Sequence, residues 1–238
     1  MDNRVTLQPA YVLHRQAFQN TSLLLDLFCL DYGRVKAVAK GARREKSKYR
    51  SSLQPFQPLL LSFSGRGEVK TVVNSEASVG ALDLRGQRLF SGLYINELLT
   101  RLLHNYVEHK PLYLVYQETL LSLQGNAGLE VLLRKFELAL LEELGYGIDF
   151  EVEGEAQIPI QPDRHYRFIT GVGFEEYSGS GDKPTIQIYR GTDIAALSNR
   201  DFSSPEVLAA AKRLLRTALA AHLGDKPLHS RTLFTQRN

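Results

Sequence analysis

Cysteine is nearly absent from this 238-residue sequence, which contains only Cys29. A single cysteine excludes an internal disulfide and a zinc site built from several thiolates, so no structural metal is expected. Long apolar runs are also missing, since no stretch approaches the roughly 18 residues of a membrane-spanning helix. The opening MDNRVTLQPA lacks the apolar segment of a secretory signal. These absences predict a cytoplasmic protein without a membrane partner.

Recognisable catalytic motifs are missing as well. The sequence has no phosphate-binding P-loop, no dinucleotide-binding glycine pattern and no nucleophile elbow. Its histidines are scattered, with no H-E-x-x-H pair; they stand at positions 14, 104, 109, 165, 222 and 229. Cys29 lies in an apolar segment, where a buried, unreactive thiol is expected. The sequence therefore favours a protein that is not an enzyme and needs no cofactor.

Positive charge is concentrated near the start of the chain. Residues 1–80 contain 12 Lys and Arg against 6 Asp and Glu, whereas residues 81–238 contain 17 against 20. The stretch VAKGARREKSKYR, residues 38–50, holds six basic residues and one acidic residue. Such asymmetry indicates two modules with different partners. We therefore expect a nucleic-acid-binding domain over 1–80 and a second domain over 81–238.

The first domain has the pattern of a small β-barrel. Short apolar segments between turn residues predict strands over 10–18, 21–30, 34–40, 53–63 and 68–79. In the third of these, Val35, Ala37 and Ala39 alternate with larger, mostly basic residues, as in a half-buried strand. Five short strands with one long flexible loop, 41–52, predict a five-stranded oligonucleotide-binding (OB) barrel.

The second domain is predicted to be mainly helical, which makes the whole chain α+β. Helical periodicity predicts three helices joined by short links, as in a bundle, over 88–107, 112–123 and 128–145. Residues 146–192 are rich in Gly and Pro and predict an irregular insertion with room for a hairpin. Ser204 and Pro205 form a helix start, and that helix is expected to end near Leu223.

The basic stretch and its flanking strands provide candidate DNA contacts. Cationic side chains that neutralise phosphates release counterions, and nearby aromatic rings can stack on bases, as Tyr32 and Tyr49 would. A charged loop that serves only solubility is the simpler alternative. The candidates are Arg34, Lys36, Lys40, Arg43, Arg44, Lys46, Lys48, Tyr49, Arg50, Arg66 and Lys70.

The third predicted helix contains a cation within an apolar stripe. Arg134 falls at helical spacing among three apolar residues: Val131, Leu138 and Leu141. One interpretation is a helix buried on two sides, with Arg134 paired to a neighbouring acid: Glu130, Glu137 or Glu142. The other is an apolar groove with a cation at its rim, suited to a peptide that ends in an aromatic residue and a carboxylate.

Six segments spread over the chain carry a family resemblance. They are GRVKAVAKGARR (33–44), LQPFQPLLLSFSGRGEVKT (53–71), LFSGLYINELLTRLL (89–103), LRKFELALLEELGYG (133–147), AAKRLLRTAL (210–219) and KPLHSRTLF (226–234). With them the sequence resembles the bacterial RecO family of DNA repair and recombination mediators over essentially its whole length. The resemblance implies an N-terminal OB barrel followed by a helical domain.

The resemblance also implies activities and partners. RecO proteins bind single- and double-stranded DNA, anneal complementary strands and, with RecR in the RecF pathway, load RecA onto DNA coated by single-stranded-DNA-binding protein (SSB). They dock the acidic C-terminal tail of SSB, and Arg134 stands at the family's cationic position for that tail. Weaker correspondences are Lys135, Leu138 and Leu141. Some relatives carry four zinc-binding cysteines after the third helix, which residues 146–192 lack.

Two other functions stay open. A metal-dependent nucleic-acid-processing enzyme could use the acids of residues 142–155, and would degrade its substrate when magnesium is present. An RNA-binding or scaffolding module would prefer RNA, or would not anneal strands.

Overall fold

Five strands form a closed barrel at the start of the chain. The computed structural model describes residues 4–49, 51–78, 80–179 and 187–235. The barrel order is β1-β2-β3-β5-β4, in which β3 and β5 run parallel and the other neighbours antiparallel. The strands are β1 Arg4–Phe18, β2 Ser22–Cys29, β3 Gly33–Ala39, β4 Leu59–Ser64 and β5 Val69–Ala77. This is the OB arrangement, and it confirms the predicted fold.

Alternating side chains fill the barrel interior. Val35, Ala37 and Ala39 of β3 face the core, as their period of two predicts. Cys29 is fully buried beside them, and burial together with the Asp31 charge raises the pKa of its thiol. The thiol is therefore protonated at neutral pH and unreactive, as the sequence indicates.

Two strand boundaries differ from the sequence-based expectation. β1 begins at Arg4 and continues through a register shift between Val5 and Gln8, so it is longer than predicted. β4 begins only at Leu59. Pro55 and Pro58 precede it, and because proline has no backbone N–H, the chain cannot extend the ladder there.

Six helices and a second sheet complete the described chain. The helices are α1 Gly86–Leu102, α2 Lys110–Gln124, α3 Leu129–Glu143, α4 Gly191–Ser198, α5 Pro205–Leu223 and α6 His229–Thr235. A three-stranded sheet with the order β7-β6-β8 lies between α3 and α4. Its strands are β6 His165–Ile169, β7 Gly173–Glu176 and β8 Ile188–Arg190. Helices α4 and α6 and the third strand of this sheet were not predicted. In the described part of the chain, none of the helices has the length and apolar character of a bilayer span.

The chain divides into two compact units. One comprises Met1–Asn126 with Pro227–Asn238, and the other comprises Ala127–Lys226. Helices α1 and α6 pack together in the first unit, whereas α3 packs against α5 in the second. The predicted bundle of the first three helices is therefore wrong, because α3 packs against α5, which begins 62 residues after α3 ends, rather than against its neighbour. The sequence division at residue 80 stays a prediction.

An aromatic cluster joins the barrel to α1 and α2. Tyr11 and Phe28 project from the outer face of β1 and β2 and meet Tyr113 and Tyr116 of α2, with ring centroids 5.2–5.8 Å apart. The Tyr116 hydroxyl donates to Asn96 Oδ1 at 2.8 Å, and Asn96 Nδ2 donates to the carbonyl oxygen of Leu13 at 3.0 Å. Burial raises the pKa of Tyr116 well above its ordinary value. The middle of β1, residues 10–13, is thus buried on both faces, and the amide of Asn96 that bridges it to α2 has a partner for each atom.

The link between α1 and α2 adds to the barrel edge. Tyr106 N donates to the carbonyl oxygen of Arg34 at 2.9 Å, and Asn105 forms a bridge with the same residue of β3. This pairing explains why α1 ends at Leu102, five residues before the predicted boundary. Gly33 has a positive φ, and a Cβ there would lie 1.6 Å from the carbonyl oxygen of Val107.

The described parts of the region 146–192, which are residues 146–179 and 187–192, pack around an aromatic core. Tyr166, Phe174 and Tyr189 are almost fully buried, and the rings of Phe150 and Phe168 pack within 6.1 Å and 5.4 Å of Phe174. Each buried aromatic side chain contributes about 1.5–3 kcal/mol. Hydrophobic packing therefore accounts for this region, which the sequence left unexplained.

We predict that Gly33→Ala destabilises the first unit by more than about 2 kcal/mol, because the new Cβ meets a backbone oxygen and alanine disfavours a positive φ. Chemical denaturation followed by circular dichroism measures the loss. Gly67→Ala is the matched control, since its Cβ would meet nothing within 4 Å. Equal stability of the two variants would contradict the close approach.

A second prediction concerns the N-terminus of α6. Glu97 of α1 accepts from the backbone N–H of His229 at 2.9 Å and of Ser230 at 2.8 Å, and from the Ser230 hydroxyl at 2.6 Å. Burial alone would raise the pKa of Glu97, but these hydrogen bonds and the nearby His229 charge outweigh it and lower the pKa. The carboxylate therefore stabilises the docked helix above the usual carboxyl pKa, about 4.3, and that stabilisation is lost as the pH falls through the lower folded pKa.

We expect amide exchange at His229 and Ser230 to accelerate as the pH is lowered from 6 to below about 4.3, after correction for intrinsic exchange. Glu97→Gln should raise exchange at pH 6 and flatten the pH dependence. NMR hydrogen exchange measures both. A wild-type profile as flat as that of the variant would show that Glu97 does not hold α6.

Candidate nucleic-acid interface

The basic loop, residues 40–49, is an ordered series of turns. Arg44 N donates to the carbonyl oxygen of Gly41 and Ser47 N to that of Arg44, each at 3.1 Å. Arg43 N donates at 2.8 Å to the carbonyl oxygen of Thr21, in the turn between β1 and β2. Backbone hydrogen bonds thus hold the described part of the loop against the barrel, while its flexibility stays a prediction.

Five cations project from this loop into solvent. They are Lys40, Arg43, Arg44, Lys46 and Lys48. Among the described residues, none of the five lies within 4.0 Å of a carboxylate, whereas eight other basic residues do. Unneutralised cations on an ordered backbone form a positive surface that favours a polyanion.

Tyr49 does not lie on this surface. It is 8% exposed and belongs to the barrel core, where its hydroxyl donates to the carbonyl oxygen of Val73 at 3.2 Å. The expectation that its ring stacks on a base is corrected, because a buried ring offers no open face. Tyr32 is 39% exposed and packs edge-on against Phe63.

Arg34 and Lys70 are held within the fold. Arg34 donates to Asp26 Oδ1 at 2.7 and 3.0 Å and to the carbonyl oxygen of Leu103 at 3.2 Å. Lys70 Nζ donates to two carbonyl oxygens of its own hairpin, at 2.9 and 3.1 Å, and lies 5.0 Å from the centre of the Tyr106 ring. Arg34 is therefore corrected to a structural cation whose charge Asp26 balances. Lys70 is half-buried and has no carboxylate partner among the described residues, so its contact with DNA stays a prediction.

The remaining candidates lie at different places around the barrel. Lys36 is half-buried on the outer face of β3, and Arg66 is exposed at the turn between β4 and β5. Arg50 lies outside the described residues. The structure thus brings together the loop cations and leaves Arg66 as an isolated exposed charge.

A cavity of about 400 Å³ opens beside the basic loop. Arg15 and Gln16 of β1 line it together with Arg43 and Gln54 from the loop side. Sequence reasoning missed Arg15, because it was read as an ordinary strand residue. The available signal was the polar run His14-Arg15-Gln16 that follows the apolar half of β1, which indicates that the strand leaves the core there.

Helix α3 places Arg134 inside the second unit. Arg134 is 8% exposed, and its Nη2 donates to Glu137 Oε1 at 2.9 Å. Leu138 and Leu141 are buried, whereas Lys135 is exposed. Pairing with Glu137 and burial on two sides match the first interpretation of this helix. No apolar groove lies open at Leu138 and Leu141 in the described structure.

A five-stranded barrel of this order, with a basic loop at one end, defines an OB-fold protein. Residues 1–79 match the family model Recombination protein O N terminal, and residues 84–232 match Recombination protein O C terminal. The chain therefore belongs to the Recombination protein O, or RecO, family.

Similar proteins carry the same family name. The DNA repair protein RecO of Psychromonas ingrahamii is 44% identical over 228 residues, which cover 96% of this chain and 97% of that protein. That of Shigella flexneri is 45% identical over 230 residues, covering 96% and 93%. That of Yersinia pestis is 44% identical over 237 residues, covering 96% and 94%.

The buried pair on α3 gives a stability prediction. Arg134→Ala should cost about 3–5 kcal/mol, because it leaves the Glu137 carboxylate buried without its cation. Arg134→Met combined with Glu137→Gln removes both charges and keeps a polar group at position 137, so it should cost much less. Thermal and urea unfolding measure the two values. A double variant no more stable than Arg134→Ala would contradict a charge-pair explanation.

Proposed function

We propose that this chain is a DNA repair and recombination mediator that binds single- and double-stranded DNA and anneals complementary strands. The observation that carries the proposal is the basic loop, with five exposed cations that lack carboxylate partners among the described residues. Membership in the RecO family supports it.

The proposed mechanism is charge neutralisation. Lysines and arginines that contact phosphates release condensed counterions, and two strands that share one positive surface repel each other less. Such contacts address the backbone and do not read base edges, so annealing is independent of sequence. No bond is made or broken, and the step requires neither a nucleotide nor a metal. The protein acts as a binding mediator rather than as an enzyme.

The order of the loop supports a defined path for the strand. Arg43 N and the Thr21 carbonyl oxygen tie the loop to the β1–β2 turn, and Lys48 Nζ lies 3.5 Å from Asn74 Oδ1 of β5. Cations held on fixed backbone lose less conformational entropy on binding than cations on a flexible loop. Arg66, on another turn, and the half-buried Lys70 stay separate candidate contacts, whereas Arg34 and Tyr49 do not belong to the proposed surface.

We further propose that SSB docks through its acidic tail at α3. Lys135 is exposed and can meet the acidic residues of the tail. Arg134 can reach the terminal carboxylate only when that carboxylate replaces Glu137 as its partner. Leu138 and Leu141 would have to become accessible in the same movement, since both are buried. Cooperation with RecR in loading RecA rests on family membership alone.

The annealing proposal is tested with two charge-matched variants. Arg44/Lys46/Lys48→Ala removes three loop cations, and Lys212/Arg216/Lys226→Ala removes three exposed cations from the second unit. We expect the loop variant to weaken single-stranded DNA binding and to reduce the salt slope, d log K/d log[salt], by about 2, since each phosphate contact contributes about 0.7. The control variant should keep the wild-type slope.

Annealing of complementary oligonucleotides, without ATP or metal, should fall in the loop variant alone. Equal slopes in both variants would show that the loop does not contact phosphates. Tighter binding to RNA of the same sequence would favour an RNA-binding module, and loss of strand integrity in magnesium would favour a nuclease.

The tail proposal has its own test. Lys135→Glu should weaken binding of an acidic peptide that ends in phenylalanine several-fold, because it adds repulsion at the docking edge. It should leave binding to bare DNA unchanged. Lys226→Glu, at an exposed lysine outside α3 and α5, is the matched control, and fluorescence polarisation measures the affinity. Equal peptide affinity in both variants would remove α3 as the docking site.

A further inference from the structure

Hydrogen bonds hold the walls of the cavity beside the basic loop in a defined position. It opens between the second half of β1, the start of β2 and the basic loop, and its volume is about 400 Å³. Leu53 N donates to the carbonyl oxygen of Tyr49 at 3.0 Å, and the Tyr49 hydroxyl donates to that of Val73 at 3.2 Å. These bonds fix the loop wall against the barrel. A volume in this range suits one small organic ligand.

Two guanidinium groups face the cavity. Arg15 Nη1 donates to the carbonyl oxygen of Leu53 at 3.3 Å, and Arg43 Nη1 donates to that of Gln19 at 3.4 Å. Each contact tethers one N–H, and because a guanidinium carries five, donors remain for a ligand. Among the residues that the structure describes, no carboxylate lines the cavity. Two arginines without a counter-charge select an anion, and their forked geometry suits phosphate oxygens.

The uncharged part of the lining suits a nucleoside. Gln16 and Gln54 carry amides that both donate and accept hydrogen bonds, as the edge of a base requires. Leu23 and Tyr49 supply an apolar wall against which a sugar or base can pack. The cavity thus places two cations beside two amides and an apolar wall. This arrangement matches a nucleoside with one phosphate.

The charge of the arginine pair distinguishes a strand end from its interior. A phosphate inside a strand is a diester with one negative charge, whereas a terminal phosphomonoester carries about −1.5 to −2 at pH 7. Two cations therefore favour the monoester. A strand end enters the cavity once, whereas a continuous backbone must both enter and leave it.

We propose that this cavity binds the terminal, phosphomonoester-bearing nucleotide of a DNA strand, with the phosphate between Arg15 and Arg43. The proposal rests on the proposed DNA binding by the basic loop and adds a preference for phosphorylated ends. Arg43 belongs to both the loop and the cavity, so a strand anchored at its end continues along the loop cations.

The first test compares oligonucleotides of one sequence that carry a 5′-phosphate, a 3′-phosphate or only hydroxyl ends. We expect the protein to bind one phosphorylated form about five- to tenfold more tightly than the hydroxyl form, and the preferred end identifies the source of the phosphate. Arg15→Gln should bring that ratio close to one. Arg66→Gln, outside the cavity, should weaken all three forms but keep the ratio.

A wild-type ratio of one, or a ratio that survives Arg15→Gln, overturns the proposal. Circular dichroism checks that the variants are folded, and Arg15→Lys, which keeps the charge but loses the fork, should retain only part of the preference.

A second measurement separates this proposal from the proposed function. The melting temperature of the full chain is recorded with deoxythymidine monophosphate or with thymidine. We expect the monophosphate alone to raise it, and Arg15→Gln to abolish the increase. If no oligonucleotide binds, the proposed function fails. The change in melting temperature with the monophosphate still shows whether the cavity binds a nucleotide. No shift with the monophosphate, or an equal shift with thymidine, overturns the cavity assignment.

Discussion

The hydrogen-bonded aromatic contact between the barrel and the first two helices is the interaction on which the first unit depends. Asn96 bridges the backbone of β1 and the hydroxyl of Tyr116, so a strand wall that would otherwise face water is sealed by two helices. Buried polar groups are tolerated only when paired, and each atom of this amide has a defined partner. The helices cover this face of the barrel, whereas the basic loop at the end of the barrel stays exposed.

The role of each arginine depends on whether a carboxylate lies beside it. Arg34 and Arg134 are of the same residue type as Arg43 and Arg44, yet the first two are enclosed beside Asp26 and Glu137. Burying a charge is costly unless a counter-charge accompanies it, so these cations serve the fold. The loop arginines are exposed and have no carboxylate within 4.0 Å among the described residues. Counting basic residues along the sequence treats the two kinds alike.

The second unit shows how a segment with little regular pattern becomes ordered. Residues 146–192 lack the cysteines that could hold zinc, and the described part instead collapses around Tyr166, Phe174 and Tyr189. Burial raises the pKa of Tyr189 to about 12, although the nearby Arg213 charge, 5.6 Å from the ring, opposes the change. Aromatic side chains bury large apolar areas, so a few of them can replace a metal as the centre of a small sheet.

Local sequence patterns account for the barrel, its strand faces, the capped start of α5 at Ser204 and the presence of a basic loop. These features depend on local periodicity and on the backbone preferences of single residues. Both can be recognised from residues that are neighbours in the sequence. Packing in three dimensions turns Tyr49 into the core, brings Arg15 and Arg43 to one cavity and places α3 against α5. These contacts join residues distant in sequence, so local pattern does not specify them. Helical spacing did offer Glu137 as one of three acids for Arg134, and the packing selected it.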